Sequence, residues 1–310
     1  MTTNMTIRDM TIPELPESME LLNLTQPMKG YNPFVGSWIL PGDPFVIFDV
    51  GPKCSIDVLL NHLKNMGVDK VDYILLSHIH IDHAGGVGHF LDVYPMAKVV
   101  AHDKGIRHLA DPEKLWQGAL TVLRDVARSY GKMKPVPREA LIPHTEARIP
   151  GMTIIETPGH APHHLSYVFK DTLIAGEAAG IYLPFIGPTY LRPPTPPRFI
   201  LDIAVSSVDR LLALPDMPIC YAHWGANKSS REMLATYRDQ LYLWRDIIAD
   251  VLNQGDGDDI LKRCRLALLE RDPALKAFPT MDEDTRARED YYLENSAWGY
   301  VEFLREAGAK

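Results

Sequence analysis

Residues 77–86 read Ser-His-Ile-His-Ile-Asp-His-Ala-Gly-Gly, so four of ten consecutive side chains, His78, His80, Asp82 and His83, are metal-ligand types. They follow a mostly apolar stretch, Val71 to Leu76, that reads as a buried strand, and Gly85-Gly86 marks a sharp turn. The run therefore occupies the loop that leaves a strand end. An extended i, i+2 spacing puts His78 and His80 on one side, where both imidazoles reach a single ion. Asp82 and His83 come after the turn and are offered to a second position nearby. Imidazole and carboxylate are the ligand set for zinc or iron in a hydrolytic site. The alternative is a metal-free loop, but histidines packed this closely repel once protonated and gain nothing structurally.

Further motifs follow in order. Thr157-Pro158-Gly159-His160 succeeds a short strand, Thr153 to Glu156; Asp171 to Glu177 has the shape of a hairpin strand ending on an acid; Pro218 to His223 closes a strand on a histidine. Together, over about residues 30–225, these motifs resemble the metallo-β-lactamase-fold hydrolase superfamily, with its uncharacterised hydrolase, lactonase and glyoxalase-II-like members. The resemblance implies an α/β fold, an αββα sandwich of two mixed β-sheets with outer helices. It implies two divalent ions, zinc first, with iron or manganese as alternatives. His78, His80 and His160 would hold one ion and Asp82, His83 and His223 the other, with Glu177 shared. Asp82 has a second, catalytic role, because a carboxylate beside the nucleophile orients it and takes its proton. His164, four residues after His160, stands where similar members carry a histidine just behind the ligands. One departure matters: the family usually has Asp at the position of Glu177. The extra methylene lets Glu177 bridge in another geometry, bind one ion only, or leave one site weak.

Length and charge agree with a small-molecule enzyme. The 310 residues allow two domains or one large α/β layer fold. The expected division is a metallo-β-lactamase-like domain over 1–225 and a helical cap or dimerisation region over 226–310. Net charge is −8, and residues 1–225 hold 19 basic and 23 acidic side chains against 13 and 17 in the rest. No basic face emerges, which argues against nucleic acid as partner and against the nuclease branch. Cys54, Cys220 and Cys264 lack paired spacing and read as reduced, mostly buried thiols. The N-terminus lacks a signal-peptide pattern, and no apolar run approaches the ~18 residues of a membrane span, so a cytoplasmic location is expected. A homodimer remains open.

The first third alternates strands and helices: a strand over 44–50, a helix capped by Ser55 and stopped at Gly67, the metal-loop strand, a short helix near 87–94 and a strand over 97–101. One longer helix is predicted over 112–130 with Leu115, Leu120, Leu123 and Val126 inward. A hairpin then joins 165–169 to 172–175. Residues 183–199 contain six prolines in 17 positions, which excludes a helix and leaves few donors for a sheet. This rigid loop follows the Glu177 hairpin, so it is expected to wall an apolar substrate pocket with Tyr182, Phe185 and Tyr190. Either tyrosine could donate to an oxyanion, although aromatic packing is the commoner role. The last 85 residues read as helical. Ser229-x-x-Glu232 is a capping-box pattern, and Met233, Tyr237, Leu241, Trp244, Ile248 and Val251 mark one buried face. Two further helices are predicted over 260–270 and 284–306.

The expected activity is hydrolysis of a small ester, lactone or thioester by water that the metal activates. Two alternatives stay open: an iron-dependent oxidoreductase on the same fold, similar to persulfide dioxygenases, and a non-catalytic member that binds a small ligand. A flavin-linked di-iron reductase is disfavoured because no flavodoxin-like domain follows. A β-lactam substrate is disfavoured by the lack of a secretion signal.

Overall fold

Which way each strand residue faces decides the architecture. A computed structural model describes residue 15, residues 19–184 and residues 190–308. The first sheet runs in chain order: β1 (Glu20–Asn23), β2 (Gly36–Leu40), β3 (Val46–Phe48), β4 (Tyr73–Leu75), β5 (Lys98–Ala101) and β6 (Leu141–Pro143). Its first three strands are antiparallel and its last four parallel. The parallel crossovers carry α1 (Ile56–Asn65), α2 (Ile81–Ala84), α3 (Val87–Phe90), α4 (Asp103–Ala110), α5 (Glu113–Leu123) and α6 (Asp125–Tyr130). The second sheet contains β7 (Met152–Glu156), β8 (Leu165–Phe169) and β9 (Thr172–Gly176), then, after the small ladder β10 (Ile181–Tyr182) with β11 (Leu191–Arg192) and α7 (Leu201–Leu212), β12 (Ile219–Tyr221) and β13 (Ala226–Asn227). Its order is β13-β12-β9-β8-β7, with β12 parallel to β9 and the other pairs antiparallel.

Alternate residues of these strands enter different cores. Trp38, Leu40, Val46, Phe48, Leu75 and Val100 meet Tyr167, Ile174 and Cys220 in one buried cluster between the sheets. Their neighbours Ile39, Ile47, Ile74, Val99, Leu173 and Ile219 face the helices instead. A two-residue period with both faces apolar is what a sheet buried on both sides requires. The result is the αββα sandwich. Two buried polar groups pin the sheets together: Trp38 Nε1 donates to the Tyr221 carbonyl at 2.9 Å and Tyr167 Oη donates to the Leu76 carbonyl at 2.7 Å. Cys220 and Cys264 are buried free thiols and Cys54 is half-buried.

Three local expectations change. The single helix over 112–130 is broken at Arg124, which adopts φ 50°, and Leu115, Leu120, Leu123 and Val126 stay half-buried against the core. Burial concentrates in α6, at Ala127 and Tyr130. Ser55 precedes α1, but its hydroxyl donates to the Thr25 carbonyl at 2.9 Å and makes no cap. The proline-rich stretch does contain a strand, β11, formed at Leu191 and Arg192, where no proline interrupts.

The C-terminal helices follow their sequence pattern closely. Ser229 Oγ accepts from the Glu232 N–H at 3.1 Å at the start of α8 (Ser230–Asn253), and all six expected face residues are buried. Next come α9 (Ile260–Arg271) and α10 (Glu283–Gly308). These helices share the core of α7 and the helix-facing side of the sheets. Among the described residues, no helix is long and apolar enough to cross a membrane.

Candidate metal centre

Four loops at one edge of the sandwich bring the ligand-type residues together. The first leaves β4: Ser77 and His78 are buried, His80 begins α2, and Asp82 and His83 lie within it. Gly85 is required at its end, because a Cβ there would meet the Ile81 carbonyl oxygen at 2.2 Å. The second loop carries His160 after β7, the third carries Glu177 after β9, and the fourth carries His223 in the turn between β12 and β13. All seven expected ligands converge.

They form two groups. His78, His80, His160 and Glu177 make one, and Asp82, His83 and His223 the other. In the first, His80 Nδ1 lies 3.0 Å from His78 Nε2 and 2.9 Å from His160 Nε2, while Glu177 Oε2 lies 3.2 Å and 2.9 Å from those same two nitrogens. Tetrahedral coordination with ~2.05 Å bonds sets donors about 3.3 Å apart, so this group fits an ion closely. Glu177 also faces the second group, with Oε1 3.3 Å from His223 Nε2 and Oε2 3.5 Å from His83 Nε2. Asp82 Oδ2 is 3.6 Å from His83 Nε2 and 3.7 Å from His223 Nε2. The buried Nε2 of His83 has no hydrogen-bond partner among the described residues. An unpaired buried nitrogen costs about 1–3 kcal/mol, and an ion at this position removes that cost. The residues therefore fit metal in both groups.

Hydrogen bonds on the far side of three rings, those of His78, His83 and His160, aim the other ring nitrogen inward. His78 Nδ1 donates to Ser77 Oγ at 3.0 Å, and Ser77 Oγ donates to Asp49 Oδ2 at 2.7 Å. His83 Nδ1 donates to the same oxygen at 3.1 Å. His160 Nδ1 donates to the Pro194 carbonyl at 2.9 Å. Such partners fix the tautomer and raise ligand basicity. Asp49 itself escaped notice in the sequence; its signal is a lone carboxylate closing an otherwise apolar strand, at φ 52°.

His164 lies behind the ligands, as the resemblance suggested, and its role is specific. Its Nε2 accepts from the Glu177 N–H at 3.0 Å, and its Nδ1 donates to Thr157 Oγ1 at 2.8 Å. The ring packs so tightly under β9 that a Cβ on Gly176, at φ 63°, would meet Nε2 at 2.6 Å. Burial, then His160, pushes the His164 pKa down to about 3, so the ring stays neutral as an acceptor.

Burial and nearby carboxylates set the protonation of these rings in opposite directions. Burial, and next the His160 ring, lower the His80 pKa to about 4, so its lone pair is available at neutral pH. Burial also opposes charge on His83, but Asp82, Asp49 and Glu177 outweigh it and raise that pKa to about 10. An ion in the second group must displace this proton, and the first group meets a similar competition at His160, where burial opposes charge but Glu177 outweighs it and raises the pKa.

Among the pocket residues, Tyr190 requires correction. It is fully buried, and its hydroxyl donates to Glu289 Oε2 at 2.9 Å, which removes it from any substrate surface. Arg192, the charged residue beside it, also pairs with Glu289 and is buried. Tyr182 packs on Tyr221 with ring centroids 5.4 Å apart. Phe185 lies outside the described residues. A separate group, His102, His144 and Glu156, also clusters. There His102 Nδ1 accepts from the Lys104 N–H at 3.0 Å, so the ring is neutral with its proton on Nε2, 3.4 Å from the Glu156 carboxylate that His144 Nε2 also meets at 3.1 Å.

The Metallo-beta-lactamase superfamily model matches residues 32–223. A metallo-beta-lactamase fold-containing protein, ST1585, from Sulfurisphaera tokodaii is 31% identical over 205 residues, covering 63% of this chain and 76% of that protein. An N-acyl homoserine lactonase from a Bacillus species is 28% identical over 195 residues, covering 57% and 66%. Among solved structures, a Thermus thermophilus metallo-beta-lactamase family protein aligns with TM-score 0.65 at 21% identity over 94% of each chain, which speaks for the fold alone. Fold, ligand order and family match agree, and this chain belongs to the metallo-beta-lactamase superfamily.

Proposed function

We propose that the protein is a binuclear zinc hydrolase acting on a small ester, lactone or thioester. The observation that carries this reading is the Glu177 carboxylate, which touches imidazoles of both ligand groups and so suits a bridging role despite its extra methylene. Divalent ions held by the two groups would supply Lewis acidity and lower the pKa of a water toward ~7. His78, His80 and His160 would hold one ion, and Asp82, His83 and His223 the other. Asp82 keeps some exposure and makes no contact shorter than 3.6 Å with its two imidazole neighbours, leaving an oxygen free to orient water and accept its proton. His80, Asp82 and His160 are the ligands with residual exposure, so substrate approaches across them. The lactonase relatives support a lactone, a cyclic ester, within that substrate class.

Two measurements test this reading. Metal analysis of protein purified without added metal should find close to two zinc ions per chain. Turnover of a panel of p-nitrophenyl esters, lactones and thioesters should fall at least ~100-fold in kcat/KM for His80→Ala, a loss of about 2.7 kcal/mol. Loading that stops at one ion would remove the binuclear claim. Activity indifferent to His80→Ala would place the chemistry elsewhere.

A further inference from the structure

The carbonyl that orients His160 belongs to a proline-dense stretch. Pro193, Pro194, Thr195, Pro196 and Pro197 follow β11, so Thr195 alone among these five residues carries a backbone N–H. Such a segment offers almost nothing to a strand ladder. Helix α10 pins it instead. On one side of Pro194, Arg192 is paired with Glu289. On the other, Thr195 Oγ1 donates to the Ser296 carbonyl at 2.9 Å, and the Thr195 N–H donates to Ser296 Oγ at 3.4 Å. Gly299 permits this close approach: a Cβ there would meet the Thr195 carbonyl oxygen at 2.0 Å and that of Pro196 at 2.8 Å. Glu289 and Ser296 stand about two turns apart on one face of the helix. Both ends of the second clamp, Thr195 and Ser296, are buried. Pro194 lies between the two clamps, and its carbonyl accepts from His160 Nδ1 at 2.9 Å.

We infer that α10 is a positioning element of the metal centre, and that Thr195, held by Ser296, sets the orientation of the His160 ring and with it the zinc affinity of the group formed by His78, His80, His160 and Glu177. An imidazole turns about its Cβ–Cγ bond, so the nitrogen facing an ion is aimed only as well as the opposite nitrogen is held. His160 differs from the other two tethered rings in where its tether is built. The tethers of His83 and, through Ser77, of His78 end on Asp49 inside the sandwich. The tether of His160 ends on a proline carbonyl, which moves with its segment. The flanking prolines keep that segment stiff, so a shift at Thr195 reaches its direct neighbour Pro194 without being absorbed. Thr195 and Ser296 are separated by 101 positions, and the ligand geometry thereby depends on a helix outside the sandwich. Thr195 acts through Pro194, which makes it a positioning residue.

This inference rests on the metal-binding part of the hydrolase reading but can fail separately from it. Zinc affinity of the full-length protein is measured by competition with a chromogenic chelator. The His160 Nδ1–H is followed by its proton resonance in zinc-loaded protein carrying nitrogen-labelled histidine. Thr195→Val keeps the side-chain shape and removes the donor. Zinc should then bind about tenfold more weakly, the low end of the loss when an outer partner of a ligand is removed, and the His160 N–H should exchange faster with solvent. Thr195→Ser, which keeps the hydroxyl, should restore both. Tyr300→Phe is the control: its hydroxyl donates from α10 to the Leu241 carbonyl of α8 at 2.8 Å, so Tm should fall while neither zinc affinity nor exchange moves. Wild-type zinc affinity and exchange in Thr195→Val would reduce the clamp to packing and overturn the inference. A loss in Tyr300→Phe as large as that in Thr195→Val would trace the effect to a loosened helix and overturn it equally. Should Thr195→Val not fold, Ser296→Ala decides: it removes the 3.4 Å contact alone and should weaken zinc about threefold, and an unchanged affinity would sink the proposal. Clamp variants that shift zinc as stated, in a protein that hydrolyses nothing in the ester panel, would remove the hydrolase reading and leave the positioning role standing.

Discussion

The metal centre and the C-terminal helix beside it are held in place by opposite means. The expected ligands of the centre sit on loops at strand ends or, for Asp82 and His83, in the one-turn helix α2, and the far nitrogens of His78, His83 and His160 are tied down within the sandwich and its adjoining loop. Helix α10 reaches the same place through one buried ionic knot: Glu289 accepts from Arg192, Arg288 and Tyr190, and Arg288 also donates to the Gly30 carbonyl. Two guanidinium groups share that one carboxylate, all nearly solvent-free. The centre spreads its support over hydrogen bonds from several loops, whereas the helix concentrates its support on one carboxylate. Damage should therefore be local in the first region and global in the second.

Breaking the knot tests the contrast most severely. Glu289→Gln leaves two buried guanidinium groups without a counter-charge, so unfolding free energy should drop by about 3–5 kcal/mol in urea titrations. A drop below ~1 kcal/mol would mean that the knot carries no more than a surface pair. The pH dependence sharpens the same point. Burial raises the Glu289 pKa, but Arg192 and Arg288 outweigh it and depress the folded value to about 2. A depressed carboxylate contributes fully above its unfolded pKa of ~4.3, and its contribution fades as pH falls toward 2, an effect on the order of 3 kcal/mol. Wild type should lose its advantage over Glu289→Gln across that window, and a constant difference would contradict the assignment. The smallest expected effect belongs to the centre. The Glu177 backbone is anchored to His164, so Glu177→Asp draws the carboxylate back by one methylene. Occupancy of the ion held by Asp82, His83 and His223 should then fall, while the other ion and the Tm stay nearly unchanged. A variant that binds the second ion more tightly would show that the glutamate is the weaker bridge.

What the sequence disclosed follows the same division. The ligands announced themselves because each motif is local: a strand, a turn and the donor side chain lie within ten residues. The buried face of α8 was equally legible, since a helical period over 24 residues is hard to imitate. Asp49 was visible only as an acid after an apolar strand, and its partners Ser77 and His83 lie 28 and 34 positions away. Tyr190, Arg192 and Glu289 could not be joined from the sequence, because 97 residues separate Arg192 from its carboxylate. The break at Arg124 has no glycine or proline to announce it, and nothing local in the structure explains it.

Asp49 also has a thermodynamic meaning. Its Oδ2 receives Ser77, and through it His78 of one ligand group, and receives His83 of the other. One carboxylate oxygen is thus a common anchor for both groups of ligand-type residues, and the proposed binuclear reading gives that a consequence. An ion that fixes His83 holds Asp49 still, and with it the hydroxyl that orients His78. The ordering cost of the shared anchor is incurred only at the first binding event. Linkage then requires each ion to strengthen the affinity for its neighbour by the same factor, whichever arrives first. On the proposed binuclear reading, metal loading would then be a cooperative passage from empty to full.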